Sequence, residues 1–155
     1  MDATSLLCNC NRRLTYSELI VMNTDRLISY LNAHEWWRTT LPDKKIVNSR
    51  GLFYASSYKD AEFYGRPIDT PFTINIKNPL FGDEVHIMQT LGLPLPGEDI
   101  NIKERFALDA KMKRIAVAKG YDSIALFTTK GYETYAKTGA FPRSIELQIF
   151  SNRKD

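Results

Sequence analysis

Metal ligands are scarce in this chain, which has two histidines, His34 and His86, and two cysteines, Cys8 and Cys10. A zinc site takes four nitrogen or sulfur ligands at short spacings, and neither histidine stands at such a spacing from the C-x-C pair. No metal is therefore expected. Two thiols one residue apart also make a poor disulfide, so the pair reads as free in a reducing compartment. No stretch approaches the roughly 20 apolar residues of a membrane span. The stretch Ser5 to Cys8 is too short and lacks the basic start of a signal peptide. These absences predict a soluble, cytoplasmic protein, in its own cell or in a host's, with no membrane partner. No long basic run occurs beyond Arg153-Lys154, and 21 basic against 18 acidic residues give a net charge of +3. Charge this mild does not indicate nucleic acid as an obligatory partner, although it suits an anionic ligand. No phosphate-cradling glycine loop and no nucleophile elbow is present.

What is present fits one domain spanning residues 1–155. A chain of that length buries roughly 70% of its unfolded surface, and 43% hydrophobic with 25% charged residues is ordinary for a globular fold. The apolar run Leu19 to Met22 predicts a short buried strand. Thr24 reads as an N-cap with Asp25 in the first turn. Leu27, Ile28 and Leu31 then recur at helical spacing, predicting a helix from about Asp25 to Trp36. Leu52 to Ala55 predicts a strand that turns directly into a helix capped by Ser57, with Gly65 as its stop. Phe72 to Lys77 alternates as a strand should, and Asn78-Pro79 ends it. Leu93 to Gly97 is a stiff loop. A long helix is expected from about Asn101 to Lys119, with Leu108, Met112, Ile115 and Ala116 as its buried stripe. Ser123 to Phe127 is another strand, and Thr128 to Phe141 reads as a mobile excursion. The last strand, Ser144 to Phe150, puts Ile145, Leu147 and Ile149 on one face and Ser144, Glu146 and Gln148 on the other. The fold class is mixed α+β, with short strands and two or three helices.

Few side chains stand out as chemical. Glu146 is a lone carboxylate between isoleucine and leucine on a strand, which places it at the rim of a core. His34-Glu35 lacks the second histidine of a metalloprotease motif and reads as an interfacial helix end beside Trp36-Trp37. His86 reads as an exposed loop residue. Lys103, Arg105, Lys111, Lys113 and Arg114 read as the solvated face of the long helix.

Four phrases in order give Glu146 a context: GLFYASSYKDAEFYG (Gly51 to Gly65), PFTINIKNPLF (Pro71 to Phe81), GYDSIALF (Gly120 to Phe127) and RSIELQIF (Arg143 to Phe150). Together they resemble the ADP-ribosyltransferase superfamily, in particular its small bacterial and phage members. The resemblance implies an ADP-ribosyltransferase-like fold and NAD as substrate, with no metal. It implies Glu146 as the catalytic carboxylate. Phe53 or Tyr54 would be one aromatic of the nicotinamide pocket, and Phe63 or Tyr64 the other. Ser56 and Ser57 would steady the glutamate and the ribose. The family's first strand normally supplies a histidine or arginine that grips the ribose. The matching phrase Val21-Met22-Asn23-Thr24 puts Met22 there and leaves Asn23 to offer backbone groups to the nicotinamide amide. Ser144 stands where arginine-modifying toxins carry a glutamate or glutamine, so arginine is not the favoured acceptor.

The chemistry implied is cleavage of the nicotinamide–ribose bond through an oxocarbenium-like state. A carboxylate near the ribose offsets the developing charge, and aromatics hold the pyridinium by stacking and cation–π attraction. The expected function is mono-ADP-ribosyl transfer to a macromolecular acceptor, protein or nucleic acid, in a toxin or effector, or transfer to water as an NAD glycohydrolase. The alternative is the same fold without catalysis, a protein- or nucleotide-binding module, which Met22 motivates. A nucleic-acid-acting toxin of small α+β type is a third reading, which the mild charge disfavours.

Overall fold

A computed structural model of the protein describes residues 16–39, 49–62, 67–68 and 70–150. Along this chain run α1 (Tyr16–Ala33), β1 (Leu52–Ala55), α2 (Tyr58–Glu62), β2 (Pro79–Gly82), α3 (Glu84–Leu91), α4 (Ile102–Ala118), β3 (Ser123–Phe127), α5 (Thr129–Thr138) and β4 (Ile145–Ile149). The four strands make one mixed sheet in the order β1-β4-β3-β2. Strand β4 is antiparallel to both neighbours, while β2 and β3 are parallel. The class is α+β, with five helices among the described residues where two or three were expected.

Alternation along β4 decides what lies on each side of the sheet. Ile145, Leu147 and Ile149 are buried with Tyr54, Ala125 and Phe127 against Leu27, Leu31 and Tyr135. Burying each large aliphatic side chain contributes about 1.5–3 kcal/mol. The opposite face carries Leu80 and Ile124, which pack on Ile87, Met88 and Leu91 of α3 and on Met112 and Ala116 of α4. That second cover stops short of β1. At that end of the face Phe53 and Glu146 are half-buried.

Gly51 allows β1 to lie so close to β4. Its φ is +83°, and a Cβ there would sit 2.4 Å from the Ile149 carbonyl oxygen, so both conformation and space require glycine.

Several elements are where the pattern puts them. Strand β3 matches its expected range, and α4 is capped by Asn101, whose side chain accepts from the Glu104 amide. Ser57 caps α2, accepting from the Asp60 amide at 3.1 Å. Gly65 lies outside the described residues, as do Cys8 and Cys10.

Others are corrected. Leu19 to Met22 belongs to α1 and is not a strand; a short apolar run reads alike as strand or buried helix. Thr24 is inside that helix, which ends at Ala33. Phe72 to Lys77 has the expected alternation, with Ile74 and Ile76 buried, but only Phe72 makes a β-bridge, to Trp36. Side chains supply the missing partners. Asn32 accepts from the Ile76 amide at 2.7 Å and donates to its carbonyl at 2.9 Å, and the Asp122 carboxylate takes the amides of Lys77 and Asn78. Pro79 then opens β2 instead of ending a strand. It occupies the first position of an edge strand, where a missing N–H is tolerated. Thr128 to Phe141 is no loop either. Thr128 caps α5 by accepting from the Gly131 amide, and Gly139 ends it in the left-handed conformation. His86 is exposed as expected, but it sits on α3.

Candidate active site

Strand β4 raises one carboxylate on the face of the sheet that carries Phe53. Glu146 lies between Ala55 of β1 and Leu126 of β3 and is half-buried. Two clefts meet there.

The first cleft, about 370 Å³, runs across β1 toward α4 and is walled by Arg38, Arg50, Phe53, Arg105 and Phe106. Its charge comes from three guanidinium groups set against the carboxylates of Asp109 and Glu146. The Arg50 charge is already committed. It donates to Asp109 Oδ2 from Nη2 at 2.7 Å and from Nε at 3.1 Å, and its guanidinium lies 3.8 Å from the Phe106 ring centre and 4.7 Å from that of Phe53. Gln148 locks the pair in place, donating to the carbonyls of Arg50 and Asp109 at 2.8 and 3.2 Å. Asp109 is 2% exposed. Burial pushes its carboxyl above the ordinary carboxylate range, against the hydrogen bond from Arg50 and the charges of Arg105 and Arg50. Arg105 stands one helical turn away, with Nε 3.5 Å from Asp109 Oδ1.

Arg38 differs from the other two arginines. It lies in the extended segment Trp36 to Thr39, which pairs onto the outer edge of β1. Trp37 and Ala55 exchange two backbone hydrogen bonds at 2.9 and 2.7 Å, and Trp36 does the same with Phe72. The buried Trp36 indole donates to the Leu31 carbonyl at 2.8 Å, which fixes the segment against α1. From there the Arg38 guanidinium lies 4.8 Å from the ring centre of Phe72 and 5.9 Å from that of Tyr54. Among the described residues its Nε is buried without a hydrogen-bond partner, a state that costs about 1–3 kcal/mol.

The second cleft, about 570 Å³, opens on the other side of Glu146. Lys59, Asp60, Glu84, Thr128, Thr129 and Ser144 line it. Here α2 is stitched to the start of β4. The Ser56 hydroxyl donates to the Arg143 carbonyl at 3.1 Å and accepts from the Ile145 amide at 3.2 Å. Ser144 donates to Asp60 Oδ2 at 2.7 Å.

The residues singled out from sequence are only partly brought together. Phe53 and Glu146 share the first cleft, and Tyr54 reaches its wall although its ring is buried on the other side of the sheet. Ser56 and Ser57 are close by, but their hydroxyls serve β4 and the α2 cap. Asn23 is on α1, where its carbonyl accepts from the Tyr135 hydroxyl at 2.7 Å, and it lines neither cleft. Tyr64 and Phe63 lie outside the described residues. Sequence reasoning missed Arg38, Asp60 and Arg105 as cleft residues. The available signal was a single arginine after two tryptophans, just ahead of the phrase that opens at Gly51.

Among the described residues, no group of three or more histidine, cysteine, aspartate or glutamate side chains is arranged to hold a metal ion. No helix among them is long and apolar enough to cross a membrane. No family model, no curated protein and no solved structure matches this chain.

Proposed function

We propose that the protein is an NAD-dependent ADP-ribosyltransferase or NAD glycohydrolase, with an ADP-ribosyltransferase-like fold and Glu146 as its catalytic carboxylate. The observation that carries this reading is the position of Glu146, at the junction of a cationic, aromatic cleft and a second open one. A dinucleotide needs the first kind of surface. Its diphosphate is anionic, and its nicotinamide is flat and stacks on rings. The ribose carbon under attack must lie where a carboxylate can offset its positive charge while a nucleophile approaches from elsewhere. Glu146 meets both conditions.

Arg38 takes the part first sought at Met22. Its place on the wall of the first cleft, on the segment paired with β1, suits a group that grips the ribose or phosphate of NAD. Phe53 would offer nicotinamide the part of its ring that Arg50 leaves exposed, with Arg105 adding charge at the far wall. A macromolecular acceptor, or water, would enter through the second cleft.

A binding module without catalysis is the competing reading. The openness of the cleft that Phe53 and Glu146 share favours the enzyme. Commitment of the Ser56 hydroxyl to the β4 backbone favours the module, since that hydroxyl is not available to a ribose. Nicotinamide release from NAD by the purified protein, run beside Glu146→Gln, decides between them. Release that depends on the glutamate supports the enzyme; NAD binding without release supports the module.

A further inference from the structure

We propose that Asp60 is the catalytic base of the second cleft, taking the proton from an N–H or O–H nucleophile as it attacks the ribose carbon beside Glu146. This rests on the reading of Glu146 given above, and it assigns to the same site the residue that activates the acceptor.

A nucleophile that reaches the ribose through this cleft must shed a proton, and Glu146 is already engaged with the charge on the sugar. The cleft offers Asp60, Glu84 and Lys59 as ionisable groups. Lysine is a cation at neutral pH and takes no proton. Glu84 is exposed at the start of α3, and no hydrogen bond orients its carboxylate among the described residues. Asp60 is held. Its amide is bonded to Ser57, and its Oδ2 accepts from Ser144 at 2.7 Å, with the Ser56 hydroxyl 3.5 Å away. Its Oδ1 has no partner among the described residues. One fixed and one open oxygen is the state of an oriented base.

Spacing supports the assignment. Ser144, which holds Asp60, precedes Glu146 by two residues on the same face of the chain, about 7 Å along an extended backbone. Asp60 and Glu146 both line the second cleft, the pairing of two carboxylates that glycoside hydrolysis uses. In the step, the bond from the ribose carbon to the nicotinamide nitrogen breaks, and its electron pair leaves on neutral nicotinamide. The lone pair of the nucleophile forms the new bond to that carbon, and its proton passes to Asp60 Oδ1 and on to solvent.

The experiment is nicotinamide release from NAD by the full chain and by Asp60→Asn, each with and without azide. Asparagine keeps an oxygen for Ser144 to donate to, so the fold should persist, and thermal melting checks that. The expected result is a kcat lower by about 10²- to 10⁴-fold with KM for NAD little changed. Azide attacks without giving up a proton. It should restore release in Asp60→Asn, forming an ADP-ribosyl azide seen by mass spectrometry, and should do nothing for Glu146→Gln. Ser144→Ala, which frees Oδ2, should show a smaller loss that azide also repairs. An Asp60→Asn enzyme with normal kcat, or a loss that azide does not repair, overturns the role of Asp60 and leaves Glu146 standing. A wild-type protein that releases no nicotinamide overturns both.

Discussion

Arg50 and Asp109 form an ion pair at 2.7 Å with side chains only 11% and 3% exposed, and the Gln148 amide bonds the backbone of both. The pair joins α4 to the entry of β1 and so fixes the wall of the first cleft. Asp109→Ala removes the only carboxylate that Arg50 touches among the described residues and leaves a guanidinium buried between two rings. A loss of about 3–5 kcal/mol is expected, read as a lower urea midpoint. Arg50→Met combined with Asp109→Leu should regain most of it, because no uncompensated charge then remains. A single variant as stable as the parent would contradict this account.

Glu146→Gln should abolish nicotinamide release while leaving the fold intact, which thermal melting checks. Residual activity above a few per cent would remove the glutamate from the mechanism.

Arg38→Met separates binding from folding. Methionine keeps the apolar contact with Phe72 and deletes the orphaned Nε, which offsets the lost cation–π contacts with Phe72 and Tyr54, so the variant should match the parent in stability. Its affinity for NAD should fall by roughly 10- to 150-fold, the equivalent of one hydrogen bond to a charged group at about 1.5–3 kcal/mol. Calorimetric titration with NAD measures it, and unchanged affinity would exclude Arg38 from the ligand site.

Tyr135 supplies a test in pH. Burial pushes its hydroxyl above the usual range, opposed by the charge of Arg26. The native state therefore holds that proton more firmly than the unfolded chain. The resulting stability is complete below about pH 10 and is lost as pH rises through the folded value. Tyr135→Phe also loses the bond to the Asn23 carbonyl, about 0.5–1.5 kcal/mol at neutral pH. The gap between variant and parent should shrink above pH 10 in urea titrations; a constant gap would show that ionisation of Tyr135 plays no part.

The sequence was most legible where one pattern had one solution. The isoleucine–leucine alternation of β4 permits a single buried face, and the Asn101 cap and Gly120 bracket α4. It was least legible where side chains replaced backbone partners. Asn32 and Asp122 satisfy residues Ile76 to Asn78, so an alternating segment never joins the sheet. Helix α5 contains Gly131 and three threonines, which are weak helix formers. Burial of Tyr135 in the core and the cap at Thr128 prevail over that preference. Glu146 could be singled out as a lone charge on an apolar strand. Arg38 and Asp60 could not, because proximity to it depends on long-range pairing with β1 and β4.

The sheet order β1-β4-β3-β2 has a consequence for synthesis. Strand β4 is the last of the four to emerge and is the one that joins β1 to β3, so β1 is bonded only to the Trp37 segment until residues 145–149 have left the ribosome. Pairings so distant in sequence form slowly. A nascent or prematurely terminated chain therefore carries a β1 bare along its β4 edge and lacks Glu146. On the function proposed above, such a fragment would release no nicotinamide from NAD.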